Sequence, residues 1–220
     1  MKSMIIAPHP DDEVLGAGGT FLRLKDEQAQ TAWVIVSQIS EDEGWSTEKI
    51  DLRNQEIEEI RKMLKFDDVY KLGFPAAKLD VIPISDLVSK ISDCIKSFEP
   101  EEIYLPHPCD AHSDHRIVFE AAASCTKSFR YPFIKKVYAY ETLSETETGL
   151  NVTGIFKPNT FVNIDKYLEG KLKAMNVYKS ELGDFPFPRS NEAITALAKY
   201  RGASSGFEAA ECFEMLRERM

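Results

Sequence analysis

Apolar residues are distributed along the chain in two alternating patterns. Short runs rich in branched and aromatic residues predict strands, and apolar positions three or four residues apart predict helices. The predicted strands are Met4–Ala7, Ala32–Val36, Asp68–Leu72, Glu102–Leu105, Val137–Tyr140 and Thr160–Ile164. The predicted helices are Gly16–Gln28, Glu48–Lys65, Ile84–Phe98, Arg116–Thr126, Lys166–Leu182, Asn191–Tyr200 and Phe207–Arg217.

This alternation of strands and helices predicts an α/β protein, a Rossmann-like three-layer fold with a mostly parallel sheet. No repeat or linker divides the sequence, so we expect one domain over residues 1–220. A Rossmann-like strand order of 3-2-1-4 makes the first and fourth strands neighbours where the winding reverses. Ligands bind beyond the carboxyl ends of the strands at such a point. The loops that begin at Pro8 and Pro106 should therefore face each other.

Composition narrows the classes of function. With 43% hydrophobic and 29% charged residues, the 220-residue chain has an ordinary globular composition. Its formal net charge of -9 makes nucleic acid an unfavourable partner. Four cysteines without a C-x-x-C pair, and apolar runs too short for a signal peptide or a membrane span, predict a cytoplasmic protein with free thiols. The sequon Asn151-Val152-Thr153 then carries no meaning.

The positions of the histidines indicate the kind of site that the protein carries. All four, His9, His107, His112 and His115, fall in the two loops that the strand order brings together. The first loop adds Asp11, Asp12 and Glu13, of which Glu13 is well explained as a helix-capping acid. The second loop, residues 107–115, adds two aspartates and a cysteine. A solvated polar loop would explain the second loop alone, but the pairing of both loops favours a metal site.

Two histidines and one carboxylate are typical of a catalytic zinc site with an open position. Zinc would bring the pKa of bound water to roughly 7, and a spare carboxylate would take the proton. Asp11, adjacent to Asp12, is the natural candidate for that base. His112, with Asp114 as its orienting partner, would stabilise the oxyanion or protonate the leaving group. Iron or another divalent ion would suit the same ligands.

The two loops resemble the motifs of the LmbE/PIG-L family of zinc-dependent deacetylases, which act on molecules containing N-acetylglucosamine. The matching segments are Pro8-His9-Pro10-Asp11-Asp12-Glu13, Arg53-Asn54-Gln55-Glu56, Leu72-Gly73-Phe74-Pro75 and His112-Ser113-Asp114-His115. The resemblance implies a Rossmann-like fold, one Zn²⁺ on His9, Asp12 and His115, and Asp11, His112 and Asp114 as catalytic residues. It is also compatible with a homo-oligomer. Two positions depart from the family: Ala76 stands where many relatives carry an acid, and Ser113 where proline is common.

Arg53 is the predicted substrate-binding residue. It shares a helix face with the apolar Ile57 and Ile60, so its cation needs a partner. A plain pair with Glu56 at i,i+3 spacing is the alternative to a contact with substrate oxygens.

The sequence therefore predicts a zinc hydrolase that removes the N-acetyl group from an N-acetylglucosamine-type sugar or its conjugate. An amide hydrolase of a sugar–thiol conjugate is one alternative. A Rossmann-like sugar or nucleotide binder with a structural metal is another, although it would not need an uncommitted Asp11 and His112. An NAD-dependent oxidoreductase is disfavoured, because Phe21 stands where the third glycine of a dinucleotide-binding turn would be.

Overall fold

A computed structural model describes residues 1–150 and 154–220 of the chain. The sequon at Asn151 lies outside these residues. The strands are β1 Lys2–Ala7, β2 Gln30–Gln38, β3 Asp68–Pro75, β4 Glu102–Pro106, β5 Lys136–Tyr140, β6 Thr160–Asn163 and β7 Ala210–Glu218. The α-helices are α1 Asp12–Asp26, α2 Thr47–Met63, α3 Ile84–Phe98, α4 Ser113–Ser124, α5 Leu168–Met175 and α6 Asn191–Ala203. Three short 3₁₀ helices cover Glu41–Glu43, Leu79–Val81 and Lys179–Glu181.

The seven strands form one mixed sheet in the order β3-β2-β1-β4-β5-β7-β6. β1 to β5 pair in parallel, and β7 runs antiparallel between β5 and β6. Alternate residues of β1 enter two separate apolar clusters: Met4 and Ile6 pack on one side of the sheet, Ile5 and Ala7 on the other. Helices thus cover both faces, which confirms the predicted Rossmann-like three-layer fold with a mostly parallel sheet.

The predicted switch point is also confirmed, because β1 lies between β2 and β4. β1 and β4 are in direct register, with Ile5 opposite Tyr104. Their carboxyl ends therefore open at the same edge of the sheet. The loops that carry the histidines face each other at this edge.

The prediction of a helix at Phe207–Arg217 is wrong, since this segment forms the strand β7. Its alanine, glutamate, methionine, leucine and arginine residues favour helix locally. The segment is nevertheless paired on both sides, with β5 and with β6, and Phe213 packs against the rings of Tyr104 and Tyr138. These long-range contacts outweigh the local preference for helix.

Two helix boundaries differ from the prediction in ways that matter for the site. α1 begins at Asp12 rather than Gly16, so the acids of the first loop stand at the helix N-terminus. The predicted helix Lys166–Leu182 divides into α5 and the 3₁₀ helix Lys179–Glu181. Gly16 allows close packing of α1 on β5, because a Cβ there would overlap the ring of Tyr140. Over the described parts of the chain, no helix is long and apolar enough to cross a membrane.

Candidate metal centre and catalytic cavity

Three side chains converge where β1 and β4 end. His9 follows β1, Asp12 opens α1 and His115 is in the first turn of α4. Asp12 Oδ2 lies 3.4 Å from His9 Nδ1 and 3.3 Å from His115 Nε2. Ligands at zinc bond lengths of about 2.0–2.1 Å in a tetrahedron stand roughly 3.3 Å apart. This spacing suits one metal ion, and the assignment of His9, Asp12 and His115 as zinc ligands stays a prediction.

The charges around these atoms also suit a cation. Burial opposes a charge on His115, yet Asp12 and Asp110 raise the pKa of its imidazole to about 10. Burial likewise opposes a charge on His9, but Asp114 and Asp12 raise its pKa to about 9. Despite its burial, the two histidines hold the pKa of Asp12 well below its usual range. Without a metal, both histidines are therefore protonated, and their positive charges compensate the neighbouring carboxylates. A divalent cation at this position would compensate the same carboxylates in their place.

Each histidine of the predicted ligand set is oriented by a buried carboxylate. Asp110 Oδ2 lies 2.8 Å from His115 Nδ1, and the other oxygen of Asp110 accepts a hydrogen bond of 2.7 Å from Thr146 Oγ1. Asp114 Oδ2 lies 3.0 Å from His9 Nε2. Such carboxylate–histidine pairs fix the ring orientation in metal sites and raise the basicity of the ligand.

The contacts of Asp114 correct the prediction that this residue orients His112. Its carboxylate contacts His9 and accepts hydrogen bonds from the backbone N–H groups of Ala77 and Leu79, at 2.8 and 3.2 Å. The Asp114 carboxylate lies within 4.8 Å of a His112 ring nitrogen, but its hydrogen bonds go to these N–H groups and to His9. The Asp114 contact with His112 runs through the backbone instead.

His112 is held in one tautomer by this backbone contact. It is the N-cap of α4, and its Nδ1 accepts a hydrogen bond of 3.1 Å from the Asp114 N–H. Burial and the two neighbouring histidines lower the pKa of His112, so the ring is neutral near pH 7. With Nδ1 as an acceptor, the neutral ring carries its proton on Nε2. His112 lines the cavity beside His9 and can offer that N–H to a ligand.

Asp11 is buried next to the predicted metal ligands in an unusual backbone conformation, with φ of 139°. Burial and the adjacent Asp12 raise its pKa to about 7, against the opposing charge of Arg189. The guanidinium of Arg189 donates a hydrogen bond of 2.8 Å to Asp11 Oδ2. Arg189 is held in turn by Ser144 and Glu145, so Asp11 has a fixed cationic partner.

Arg53 reaches the cavity, and its predicted pair with Glu56 also forms, with Nε 3.2 Å from a carboxylate oxygen. The same guanidinium donates to the carbonyl of Pro10 at 2.9 Å and contacts Glu181 and Ser180. Three hydrogen bonds and the ion pair with Glu56 thereby hold the guanidinium. The pair with Glu56 is therefore present, Arg53 also holds the first loop and borders the cavity, and its contact with substrate stays a prediction.

The cavity around these groups measures about 520 Å³, within the usual range for a small-molecule site. Its walls come from the two histidine loops, from α2, from the turn after β3 and from the segment 180–189. Its lining residues include His9, Asp11, Asp12, Gln38, Trp45, Leu52, Arg53, Ala76, His112, His115, Glu145, Glu181 and Arg189. The sequence alone gives no role for Asp110. For Arg189 it leaves open a contact with substrate, a contact with a neighbouring subunit or an ordinary surface position. Spacing gives no signal for Arg189, which follows Asp11 by 178 residues.

The fold and the site together define a class of three-layer α/β proteins with a His-Asp-His group that could hold a metal ion. The family model described as "PIG-L: GlcNAc-PI de-N-acetylase" matches residues 4–126, which include both histidine loops. The chain belongs to this family, as the resemblance of its motifs predicts.

Known proteins with similar chains include deacetylases. The chain is 28% identical over 183 residues to the uncharacterized deacetylase YaiS of Escherichia coli, covering 80% of this chain and 90% of that protein. It is 26% identical over 221 residues to the diacetylchitobiose deacetylase of Thermococcus kodakarensis, covering 96% and 81%. Among solved structures, the conserved protein TT1542 of Thermus thermophilus superposes with a TM-score of 0.79 at 25% identity, covering 99% of this chain and 96% of that one.

Proposed function

We propose that this protein is a metal-dependent hydrolase that removes the N-acetyl group from an N-acetylglucosamine-type sugar or its conjugate and releases acetate. The proposal depends above all on one observation: three donor atoms within 4.8 Å of one another adjoin a buried acid, Asp11, and a neutral histidine, His112, in one cavity. A purely structural metal site has no use for those two additional groups. Membership of the PIG-L family and the similarity to a diacetylchitobiose deacetylase support the acetylated sugar as substrate.

His9, Asp12 and His115 would hold one Zn²⁺, and Fe²⁺ would suit the same nitrogen and oxygen donors. A divalent metal there would polarise the acetamide carbonyl and make water more acidic. Asp110 and Asp114 keep the two imidazoles turned towards that position.

Asp11 accepts the proton of the attacking water, because its buried carboxylate adjoins Asp12 and is not one of the predicted metal ligands. Arg189 keeps this carboxylate in place. His112 offers its Nε2–H to the carbonyl oxygen as negative charge develops there, since its Nδ1 is committed to the backbone. The proton that Asp11 takes from the water then passes to the departing amine, so that Asp11 returns to its carboxylate form.

Arg53 contributes to substrate binding from the wall of the cavity and keeps Pro10, and hence Asp11, in position. An Arg53→Ala variant with unchanged kcat/KM would contradict this role.

The test of the function is acetate release from a panel of N-acetylglucosamine derivatives. Zinc-loaded wild type is compared with Asp11→Asn at matched metal content, and Asp93→Asn on the exposed face of α3 is the control. We expect release by the wild type and the control that collapses in Asp11→Asn by roughly 10²- to 10⁴-fold. Bound metal without release from any derivative would argue against the deacetylase and favour a binding protein.

A further inference from the structure

Trp45 is a large aromatic residue at the edge of the catalytic cavity, and the proposed chemistry does not use it. Its side chain lines the cavity and remains 41% exposed. Leu52, which lines the same wall, is 53% exposed. Single exposed apolar residues are common, but two of them on the wall of a ligand cavity indicate a surface that a ligand covers.

The backbone around Trp45 is held by several hydrogen bonds. Gly44 takes a left-handed conformation, with φ of 83°, and donates to the carbonyl of Glu41 at 2.8 Å. The Glu41 carboxylate accepts a hydrogen bond of 2.6 Å from Thr47 in the first turn of α2. Glu43 pairs with Lys78 at 3.1 Å, which ties the turn to the segment after β3. Trp45 is therefore presented to the cavity on a braced turn.

The neighbourhood of the indole suits a neutral polar ring more than an anion. Lys49 Nζ lies 5.1 Å from the centroid of the Trp45 ring, where it offers hydrogen-bond donors beside an apolar surface. With the proposed divalent metal bound, the formal charges of the lining groups cancel, so the cavity has no net positive charge that would attract an anion. The carboxylates are those of Asp11, Asp12, Glu56, Glu145 and Glu181, and the cations are Lys49, Arg53 and Arg189.

We propose that Trp45, with Leu52 and Lys49, binds a second, neutral pyranose ring next to the N-acetyl sugar at the metal centre. The C–H groups on one side of a pyranose pack on an aromatic or aliphatic surface, and its hydroxyl groups accept hydrogen bonds from an ammonium group. The preferred substrate is then an N-acetylated disaccharide or longer glycan, rather than a monosaccharide or an acidic conjugate. This inference rests on the proposed deacetylase function.

The experiment compares kcat/KM for N-acetylglucosamine with kcat/KM for a disaccharide of two N-acetylglucosamine units. Zinc-loaded wild type, Trp45→Ala and Trp45→Phe are measured, with Phe129→Ala as the control because Phe129 is a 77% exposed aromatic residue that does not line the cavity. We expect the wild type to prefer the disaccharide. The ratio of the two kcat/KM values should fall about tenfold in Trp45→Ala and much less in Trp45→Phe. Phe129→Ala should keep the wild-type ratio.

An unchanged ratio in Trp45→Ala would overturn the inference while leaving the deacetylase function intact. A third substrate, a monosaccharide with a carboxylate-bearing aglycone, tests the alternative that the group next to the N-acetyl sugar is acidic. If this substrate were preferred and the preference depended on Lys49 rather than Trp45, the second ring would be the wrong ligand.

Fluorescence provides a readout that does not depend on turnover. The other tryptophan, Trp33, is fully buried, so ligand-induced changes in emission report on Trp45. Titration with the deacetylated disaccharide should change the emission of the wild type, and the Trp45→Phe variant should show no change. If no acetate were released but the Trp45 emission changed on titration, the proposed deacetylase function would be wrong, and the proposed sugar-binding site would be retained. Absence of any response would overturn the site.

Discussion

Replacement of Asp110 by asparagine tests whether the buried carboxylate beside His115 strengthens metal binding. The Asp110 carboxylate is almost fully buried and lies 2.8 Å from His115 Nδ1, with its second oxygen bound to Thr146. Asparagine keeps the shape and an acceptor oxygen but removes the charge. Hydrogen bonds to a charged partner are roughly twice as strong as neutral ones, so His115 becomes a less basic ligand.

The expected magnitude follows from comparable sites. Loss of a carboxylate that orients a ligand histidine lowers metal affinity by roughly 10- to 100-fold, about 1.4 to 2.8 kcal/mol. We expect Asp110→Asn to fall within this range, because the remaining oxygen can accept from His115 Nδ1–H while the amide NH2 donates to the Thr146 hydroxyl, which limits the rearrangement. The assay is competition for Zn²⁺ against a chromophoric chelator at fixed pH and ionic strength.

Asp93→Asn is the matched control, since Asp93 is exposed on α3 and the change removes the same charge. Thermal unfolding of both metal-free variants checks that the fold is retained. A folded Asp110→Asn protein with the zinc affinity of the wild type would refute the orienting role. The interpretation of the donor geometry would then rest on His9, Asp12 and His115 alone.

Three further predictions address catalysis, protonation and packing. His112→Ala should lower kcat by roughly 10²- to 10³-fold at unchanged zinc content, because it removes the predicted oxyanion donor; equal activity at matched metal would exclude that role. Zinc binding near pH 7 should release about two protons, since the pKa values of the two ligand histidines are raised to about 9 and 10 in the metal-free site. Affinity should accordingly rise with pH, and calorimetry in two buffers of different ionisation enthalpy measures the proton count; a count near zero would contradict this prediction. Gly16→Ala should destabilise the fold by about 1–3 kcal/mol in urea unfolding, because its Cβ meets the Tyr140 ring; Gly18→Ala, whose Cβ meets Val14 at 3.3 Å, should cost less, and equal costs would contradict the packing argument.

The location of the site could be predicted from sequence because two independent regularities coincide. Strand–helix alternation sets the strand order, and this order makes the ends of β1 and β4 neighbours. All four histidines fall in the two loops at those ends. Neither observation alone identifies a metal site. Together they predict that His9, Asp12 and His115 lie within reach of each other.

Two features differ from the prediction, the conformation of residues 207–217 and the partner of the Asp114 side chain. Both depend on contacts that local sequence does not encode. β7 consists largely of residues with good helix propensity, and its pairing with β5 and β6 decides its conformation. Asp114 and His112 are close in sequence, which suggested a side-chain pair between them. The N–H groups of Ala77 and Leu79, more than thirty residues earlier, instead fix the carboxylate against His9.

The backbone at Asp11 explains how two consecutive aspartates can serve one cavity in different roles. Neighbouring residues in regular structure direct their side chains apart, yet Asp11 and Asp12 both line this cavity. The positive φ of Asp11 makes this possible, and such a conformation costs about 1–3 kcal/mol. Three contacts offset the cost: the Asp11 N–H donates to Glu13 at 3.0 Å, the Asp11 carbonyl caps α1 by accepting from Leu15 at 2.9 Å, and the carboxylate binds Arg189. The strain thus separates the predicted metal ligand from the predicted base. Glu13, for which the sequence left open a helix cap or a supporting role behind the metal ligands, helps to hold that arrangement.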